Sequence, residues 1–302
     1  MEDINSWHEP AMLEQVLFFL DCKSDGFYVD GTLGGGGHAE AILKKNSPKG
    51  KLLGIDRDST SLEFAKKRLQ FFDNRVHIFH GCFSNLPDFL EKAGRKSVDG
   101  ILLDLGVSSH QLDNALRGFS IKNDGDLDMR MDQSMAASAY DIINQTDEAG
   151  LEYIISTFGE ERYARSISRN IVNCRKKAPI RSTKELADIV INAIPARLRY
   201  KQKIHPATRT FQALRIYVNT ELDELSKFLE FGPELLSVNA RLVIISYHSL
   251  EDRLVKRAFR SWGTKAGFKV LTKRIVIPDD DEIKNNPRSR SAKLRALVRG
   301  AS

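Results

Sequence analysis

The sequence predicts an α/β protein whose parallel sheet is interrupted by a helical insertion. Short apolar stretches that end on an acidic residue recur before residue 110, and helical patterns separate them. The clearest of these stretches are Phe27–Asp30, Lys51–Asp56 and Val98–Asp104. Alternating strands and helices are typical of an open α/β sheet, and a nearly uniform apolar run suits a strand that is buried on both faces.

The other elements before residue 110 follow the same alternation. A helix is predicted over His8–Leu20, because its apolar residues fall on one side. Ala39–Lys45 is predicted as the helix after the first strand, and Asp58 or Ser59 can cap the helix after the second. Val76–His80 completes a set of four predicted strands.

The alternation ends near residue 110. Residues 111–132 are rich in Gly, Asp, Asn and Arg and predict a long loop, after which only helices are predicted up to about residue 200. These helices cover Ala136–Ile143, Asp147–Phe158, Ser166–Arg175 and Thr183–Ala193. We therefore expect core residues 1–112, an inserted helical domain at residues 113–204, and a second part of the core at residues 205–302.

The α/β pattern resumes in the last part of the chain. Six apolar residues between positions 211 and 229, spaced three or four apart, predict one long helix. Leu242–Tyr247 is predicted as a fifth strand, and Ser249–Trp262 as the helix that follows it. Phe268–Ile277 and Lys293–Arg299 are the last predicted strands, and we expect them to pair in antiparallel fashion.

Composition predicts a globular protein of the cytoplasm. Of the 302 residues, 41% are hydrophobic and 28% are charged, and no apolar run approaches the roughly 18 residues of a transmembrane helix. The polar N-terminus does not predict a signal peptide. Cys22, Cys82 and Cys174 are widely spaced, which disfavours a disulfide framework or a structural zinc. We expect no bound metal and no membrane contact.

Basic residues are concentrated in two segments of a chain whose net charge is +6. Lys and Arg outnumber Asp and Glu by 14 to 4 from Gly159 to Arg215, and again by 14 to 4 from Arg253 to the C-terminus. Such segments can bind a polyanion, including nucleic acid. Ordinary solvated helix faces are the alternative, and charge alone does not choose between the two.

The predicted site is organised around Phe27–Ile42. Gly31 and Gly34–Gly37 place five glycines within seven residues, between a strand that ends on Asp30 and a helix that begins near His38. Strand, glycine loop and helix together bring the backbone close to a bound nucleotide-like ligand, because a side chain would block that approach. A flexible turn is the alternative, and the flanking strand and helix favour a binding loop.

Further candidates follow the other strands, since ligands of an open parallel sheet bind beyond the carboxyl ends of its strands. Asp56 lies 20 residues after Gly36, the usual distance for an acid that accepts hydrogen bonds from ribose hydroxyls. A turn or cap residue is the alternative at that position. Phe83, after the third strand, is predicted either to stack on a purine ring or to belong to the core.

Spacing alone leaves the identity of the nucleotide open. Gly34-x-Gly36-x-x-Ala39 also satisfies the dinucleotide fingerprint, so a nicotinamide dehydrogenase fits this pattern. Asp30 at the tip of the strand counts against it, because the carboxylate would repel a pyrophosphate. S-adenosylmethionine contains no phosphate and carries a positive sulfonium centre, so it suits the acid better.

Long motifs run in order along almost the whole chain and carry a family resemblance. The chain resembles the RsmH (MraW) family of bacterial methyltransferases, which act on the N4 position of a cytidine in the decoding region of 16S ribosomal RNA. The matching stretches are HEP at 8–10, DGTLGGGGH at 30–38, GIDRD at 54–58, LLDLGVSSHQLD at 102–113, RGFS at 117–120, DLDMRMD at 126–132, GEER at 159–162, HPATRTFQALRI at 205–216 and SYHSLEDR at 246–253.

The resemblance implies a class I (Rossmann-like) S-adenosylmethionine methyltransferase core with an inserted α-helical domain for substrate recognition. The implied partner is 16S ribosomal RNA within the small ribosomal subunit. The sequence does not fix the oligomeric state, and a homodimer is one option. The residues implied to contact S-adenosylmethionine are Gly36, Gly37, His38, Asp56, Phe83, Asp104 and Gln111.

The predicted chemistry centres on Asp104. The exocyclic amine of cytosine is a poor nucleophile, because its lone pair is delocalised into the ring. Amino-methyltransferases accept hydrogen bonds from this amine with an Asp/Asn/Ser-Pro-Pro-aromatic loop at the fourth strand, where this chain has Asp104-Leu105-Gly106-Val107 without the prolines. We expect the Asp104 carboxylate to be one acceptor; contact with the amine of the cofactor is the alternative.

The remaining candidates lie around the predicted substrate pocket. His248 and Ser249 follow the fifth strand and are predicted to be catalytic, although His248 could instead brace the next helix. Asp252, Arg209 and Arg253 are predicted to bind the substrate, the arginines through phosphates. A methyltransferase acting on DNA or protein, or an RNA-binding module without enzymatic activity, are the alternative functions.

Overall fold

A computed structural model describes residues 10–199 and 204–301 of the chain, apart from the side chain of Asp73. Its strands form a seven-stranded sheet in the order β3-β2-β1-β4-β5-β7-β6. The first five of these are parallel neighbours, whereas β7 pairs antiparallel with both β5 and β6. The strands are β1 Phe27–Asp30, β2 Lys51–Asp56, β3 Val76–His80, β4 Val98–Asp104, β5 Leu236–Ser246, β6 Phe268–Val270 and β7 Lys293–Arg299.

The helices are numbered in chain order and fall before, between and after the strands. They are α1 Leu13–Leu20, α2 Gly37–Lys45, α3 Ser59–Leu69, α4 Leu86–Lys92, α5 Ser109–Asp113, α6 Ala139–Gln145, α7 Glu148–Gly159, α8 Ala164–Arg175, α9 Thr183–Ala193, α10 Ala196–Arg199, α11 Thr208–Val218, α12 Glu221–Phe231, α13 Ser249–Trp262 and α14 Asp280–Asn285.

The chain divides into two compact units. The core unit consists of residues 1–108 and 222–302, and the inserted unit consists of residues 109–221. The sequence predicted boundaries at residues 112 and 204 instead. Most of the difference comes from α11, which packs against α7 and α6 and so groups with the inserted helices. The predicted role of the inserted unit in recognising substrate stays a prediction.

The sheet of the core unit is covered on both faces, as the apolar strands predicted. All four residues of β1 are buried. One face packs against apolar side chains of α4, α12 and α13, and the other packs against those of α1, α2 and α3. Burial on both faces is the usual environment of parallel strands. Because β1 to β5 run in the same direction, their carboxyl ends lie along a single edge. The predicted α/β class is confirmed.

The predicted limits of β1 to β4 and β7 match the structure, but two other strands differ. β5 begins at Leu236, six residues before the predicted start. In these first residues only Leu236 and Ala240 are buried, whereas Val238 and Asn239 are exposed, so they show no continuous apolar run. β6 ends at Val270 rather than Ile277. The Thr272 hydroxyl accepts the Ala296 amide at 3.0 Å, which replaces a backbone partner at the point where the ladder ends.

The prediction of one long helix between residues 211 and 229 is wrong. The helix is broken between α11 and α12, where Thr220 has a left-handed φ of 50°. Asn219 stabilises the break from a fully buried position: its Oδ1 accepts the Met131 amide and its Nδ2 donates to the Met129 carbonyl, both at 2.7 Å. The apolar spacing continues across the break, so the sequence pattern does not reveal it.

The first helix is shorter than the predicted His8–Leu20. It begins at Leu13, because Met12 is buried in a left-handed conformation and donates its amide to the Glu282 carboxylate at 3.0 Å. His8 and Glu9 lie outside the described residues. Within the part of the chain that the structure describes, no helix is long and apolar enough to cross a membrane.

Asn219→Ala tests the account of the helix break. The substitution leaves the Met131 amide and the Met129 carbonyl buried without their side-chain partner, so we expect the free energy of unfolding to fall by roughly 2–4 kcal/mol. Urea denaturation followed by circular dichroism measures the change. Asn192→Ala, at an exposed position of the same unit, is the matched control. Equal losses in the two variants would contradict the assignment.

Candidate active site

The loop between β1 and α2 is fixed to the neighbouring strand through its backbone. Leu33 donates its amide to the Ile55 carbonyl at 2.8 Å, and Gly34 donates to Asp56 Oδ2 at 2.7 Å. Gly34 and Gly36 have φ values of 50° and 80°, in the left-handed region that favours glycine. The loop is therefore a defined turn that ends at the N-cap of α2, not a flexible linker.

Asp56 at the end of β2 is held by two backbone amides. Its Oδ2 accepts from Gly34, and its Oδ1 accepts from Asp58 at 2.8 Å. Burial raises the pKa of Asp56 to about 6, although the two amides act in the opposite direction. A carboxylate offers about four lone-pair positions, so two hydrogen bonds leave capacity for a hydroxyl group of a ligand.

Asp30 and Asp104 lie at the ends of the adjacent strands β1 and β4. Asp30 is 1% exposed; its Oδ1 accepts the Thr32 amide at 3.2 Å, while its Oδ2 is buried and has no partner among the described residues. Asp104 Oδ1 is likewise buried without a partner there. Burial, followed by the charges of Asp104 and Asp56, raises the pKa of Asp30 to about 7.

Asp104 is positioned by the glycine loop and by His38. The Thr32 hydroxyl accepts the Asp104 amide at 2.6 Å. His38 Nδ1 lies 3.9 Å from Asp104 Oδ2, while its Nε2 lies 3.0 Å from the Ala11 carbonyl. Because that carbonyl only accepts, Nε2 carries the proton, and burial lowers the pKa of His38. The Nδ1 lone pair and the carboxylate are then two acceptors that suit a shared donor.

Tyr247 is a residue of this edge that the sequence analysis did not select. It follows β5, and burial and the charge of Asp104 raise the pKa of its phenol well above the usual value. The ring packs where Gly106 has no side chain: a Cβ on Gly106 would lie 2.7 Å from Tyr247 Cε2. The sequence does contain a signal for this contact, because an aromatic residue follows β5 and a glycine follows the neighbouring strand β4.

This edge fits a cationic ligand that is rich in hydrogen-bond donors. The carboxylate oxygens of Asp30 and Asp104 that lack a partner within the described ranges favour a positive group and disfavour a pyrophosphate. Asp56 retains acceptor capacity, and the left-handed glycines keep side chains out of the loop. A parallel sheet with an antiparallel β7, a glycine loop after β1 and these acids define a class I methyltransferase that uses S-adenosylmethionine.

Comparison with known proteins identifies the family. The model of the MraW methylase family matches residues 5–299. The chain is 48% identical to ribosomal RNA small subunit methyltransferase H of Syntrophus aciditrophicus, covering 97% of this chain and 98% of that protein. It is also 48% identical to the protein of that name from Geobacter sulfurreducens, covering 96% and 97%. The chain belongs to the MraW methylase family, and its cofactor is S-adenosylmethionine.

The other predicted cofactor residues occupy different surroundings. Gly37 is the first residue of α2, and a Cβ there would lie 3.1 Å from Pro10 Cδ. The Phe83 ring is partly buried and meets the Phe228 ring edge-on at 5.7 Å, so it is anchored in the core and only partly exposed. Gln111 is buried within α5 of the inserted unit. Their contacts with the cofactor stay predictions.

Two of the residues predicted around the substrate pocket, His248 and Asp252, have structural partners in the core unit. His248 is the N-cap of α13: its side chain accepts the Glu251 amide, and its Nε2 lies 3.0 Å from Glu251 Oε1. Asp252 receives both Nε and Nη2 of Arg295, at 2.7 and 3.2 Å. These contacts match the helix-bracing alternative for His248 and engage both oxygens of Asp252. The catalytic role of His248 and the substrate role of Asp252 stay predictions.

The other three predicted residues are exposed. Ser249 is the first residue of α13, and Arg253 follows one turn later. Arg209 belongs to the inserted unit, where it donates to the Glu160 carbonyl at 3.3 Å. Exposure leaves these side chains accessible to a large substrate, which is consistent with the predicted contacts but does not test them.

Asp30→Asn tests whether burial of the Asp30 carboxyl lowers the free energy of unfolding near neutral pH. A folded-state pKa near 7 means that the folded protein keeps a proton that the unfolded chain loses above pH 4, so stability without cofactor should fall as pH rises from about 4 to 7. The variant should remove this loss and be up to about 4 kcal/mol more stable than wild type at pH 8. Urea unfolding across that range measures the difference.

The matched control is Asp88→Asn, an exposed carboxyl of α4 in the same unit. We expect it to keep the wild-type dependence of stability on pH. If Asp30→Asn also keeps that dependence, Asp30 does not carry the raised pKa, and the account of the acidic edge is wrong.

Proposed function

We propose that the chain transfers a methyl group from S-adenosylmethionine to the exocyclic N4 amine of a cytidine in the decoding region of 16S ribosomal RNA. Family membership and relatives named for small-subunit ribosomal RNA support the substrate class. The observation that carries the choice of an amine is the buried Oδ1 of Asp104, which has no partner among the described residues. The acceptor Nδ1 of His38 lies 3.9 Å from Oδ2 of the same carboxylate.

An amine substrate needs hydrogen-bond acceptors, because each of its N–H groups must be satisfied in a buried pocket. Acceptors also favour a pyramidal nitrogen whose lone pair is free to attack. Asp104 supplies a carboxylate for this purpose, and it can take the proton that the amine loses after methylation. Tyr247 remains a donor beside it, because the pKa of its phenol is raised well above the usual value.

The cofactor half of the reaction rests on the glycine loop and the strand ends. When bound, S-adenosylmethionine supplies an electrophilic methyl group. In the proposal, Gly36, Gly37 and His38 approach it through the loop and the start of α2, and Asp56 accepts from its ribose. Phe83 contacts the adenine ring, and Gln111 is a further contact of the cofactor. The chain contributes positioning and electrostatics to an in-line displacement.

Recognition of the RNA is divided between charge and pocket. Basic side chains of the inserted unit, including Arg209, and of the C-terminal segment, including Arg253, contact phosphates in a salt-sensitive way. The target base leaves its stack to enter the pocket. In the proposal, His248, Ser249 and Asp252 lie beside this pocket. The small ribosomal subunit is the proposed substrate, and the cytoplasm is the proposed compartment.

Mass mapping of nucleosides in small-subunit RNA tests the proposed substrate. Deleting the gene should remove one N4-methyl group from a single cytidine of the decoding region, and purified protein should restore it on isolated small subunits. Duplex DNA and protein extracts serve as comparison substrates. Methylation of either in preference to subunits, or an unchanged nucleoside map, would contradict the proposal. Cofactor binding without any transfer would favour the RNA-binding module.

Asp104→Ala separates the two roles of the central carboxylate. If Asp104 accepts from the amine, single-turnover methyl transfer at saturating cofactor should fall by roughly 10²- to 10⁴-fold. If it holds only the cofactor, the Kd of S-adenosylmethionine should rise while that rate stays unchanged, and the catalytic assignment is wrong. Asp88→Ala, on the exposed side of α4, should change neither quantity.

A further inference from the structure

Helix α13 carries a one-sided basic surface, of which the proposed site uses only Arg253. Its buried side contains Val255, Phe259 and Trp262. Four exposed residues, here called the basic stripe, lie on the opposite side: Arg253, Lys256, Arg257 and Arg260. Their spacing of three, one and three residues keeps them on one face of a helix. The helix is thus anchored to the sheet on one side and presents only positive charge along the other.

Three of the four charges of the stripe are not balanced by acids in the described part of the core unit. Three other helices of this unit each pair one lysine with an acid one turn away: Lys44–Glu40, Lys66–Glu63 and Lys227–Glu224. Among the described residues, Lys256, Arg257 and Arg260 make no ion pair or side-chain hydrogen bond.

The acids of α13 itself are engaged elsewhere. Glu251 is buried and accepts the Tyr247 amide at 2.7 Å, and Asp252 binds Arg295. Like charges three or four positions apart destabilise a helix by about 0.2–0.5 kcal/mol for each pair. A bound polyanion would remove this repulsion, so the stripe is better suited to a complex than to the isolated chain.

The stripe begins next to the candidate active site. Tyr247, whose phenol is near Asp104, is the residue directly before the N-cap of α13. The helix therefore leads away from the catalytic edge. Arg253 to Arg260 spans about 10 Å at 1.5 Å per residue.

We propose that the basic stripe of α13 binds the phosphate backbone of the ribosomal RNA strand whose cytidine enters the active site. This inference rests on the proposed function and adds a location for its phosphate contacts. The stripe consists of lysine and arginine alone, which recognise phosphates by charge and, for arginine, by bidentate hydrogen bonds. Such contacts orient the RNA and contribute affinity, whereas the pocket selects the base.

The test is the salt dependence of binding to isolated small ribosomal subunits. The variant combines Lys256→Gln, Arg257→Gln and Arg260→Gln, and leaves Arg253 in place. Log affinity falls with log salt, and each lost phosphate contact reduces the magnitude of this slope by about 0.7–0.9, so the loss of three contacts should reduce it by about 2–3. The melting temperature and the Kd of S-adenosylmethionine show whether the variant is folded, and removing the like charges should leave the melting temperature equal or higher.

A matched control carries Lys66→Gln, Lys67→Gln and Lys96→Gln, which remove the same charge from exposed positions of the core unit. We expect this control to keep the wild-type slope. If the stripe variant and the control have equal slopes, the proposal is wrong, and the stripe is left for another partner such as an acidic protein.

Failure of the proposed function has a different signature. It would appear in the wild-type protein as methylation at another base or on another polymer, whatever the slopes of the variants. Wild-type methylation of the cytidine together with an unchanged slope in the stripe variant would overturn only the present inference.

Discussion

The burial of carboxylates at the ends of β1, β2 and β4 is the constraint on which the site depends. Asp30 and Asp56 have pKa values raised to about 7 and 6, mainly because the folded chain removes them from water. Their remaining stabilisation comes from backbone amides of Thr32, Gly34 and Asp58. A cationic ligand is the natural counterpart of such a group, and in its absence the edge stores free energy.

The same contacts link the cofactor loop to the proposed catalytic group. Thr32 donates its amide to Asp30 and accepts the amide of Asp104 on its hydroxyl, so one residue of the loop fixes two strand ends. His38 is the second residue of α2, directly after this loop, and its Nδ1 lies 3.9 Å from Asp104 Oδ2. In the proposal, a change in the loop therefore affects both the binding of the methyl donor and the acceptor for the amine. The Kd of the cofactor reports the first effect, and the rate of methyl transfer at saturating cofactor reports the second.

Local sequence patterns were sufficient to predict much of the fold and the acids at the ends of the strands. β1 to β4, the glycine loop and the acids after three strands follow from apolar runs and their endings, which are local properties. The break at Asn219, the Asp252–Arg295 pair and the Tyr247 phenol beside Asp104 depend on residues far apart in the sequence. Helical periodicity carries no information about a buried amide that interrupts it, so those features needed the three-dimensional structure.

Proton release on cofactor binding tests the central claim most directly. Calorimetric titration with S-adenosylmethionine, in buffers of different ionisation enthalpy and at a pH between about 6 and 7, counts the protons exchanged. Because a positive ligand favours the ionised carboxyls, the account predicts net proton release that is reduced in Asp30→Asn. Equal proton exchange in the wild type and in that variant would contradict it, since Asp30 would then not respond to the charge of the cofactor.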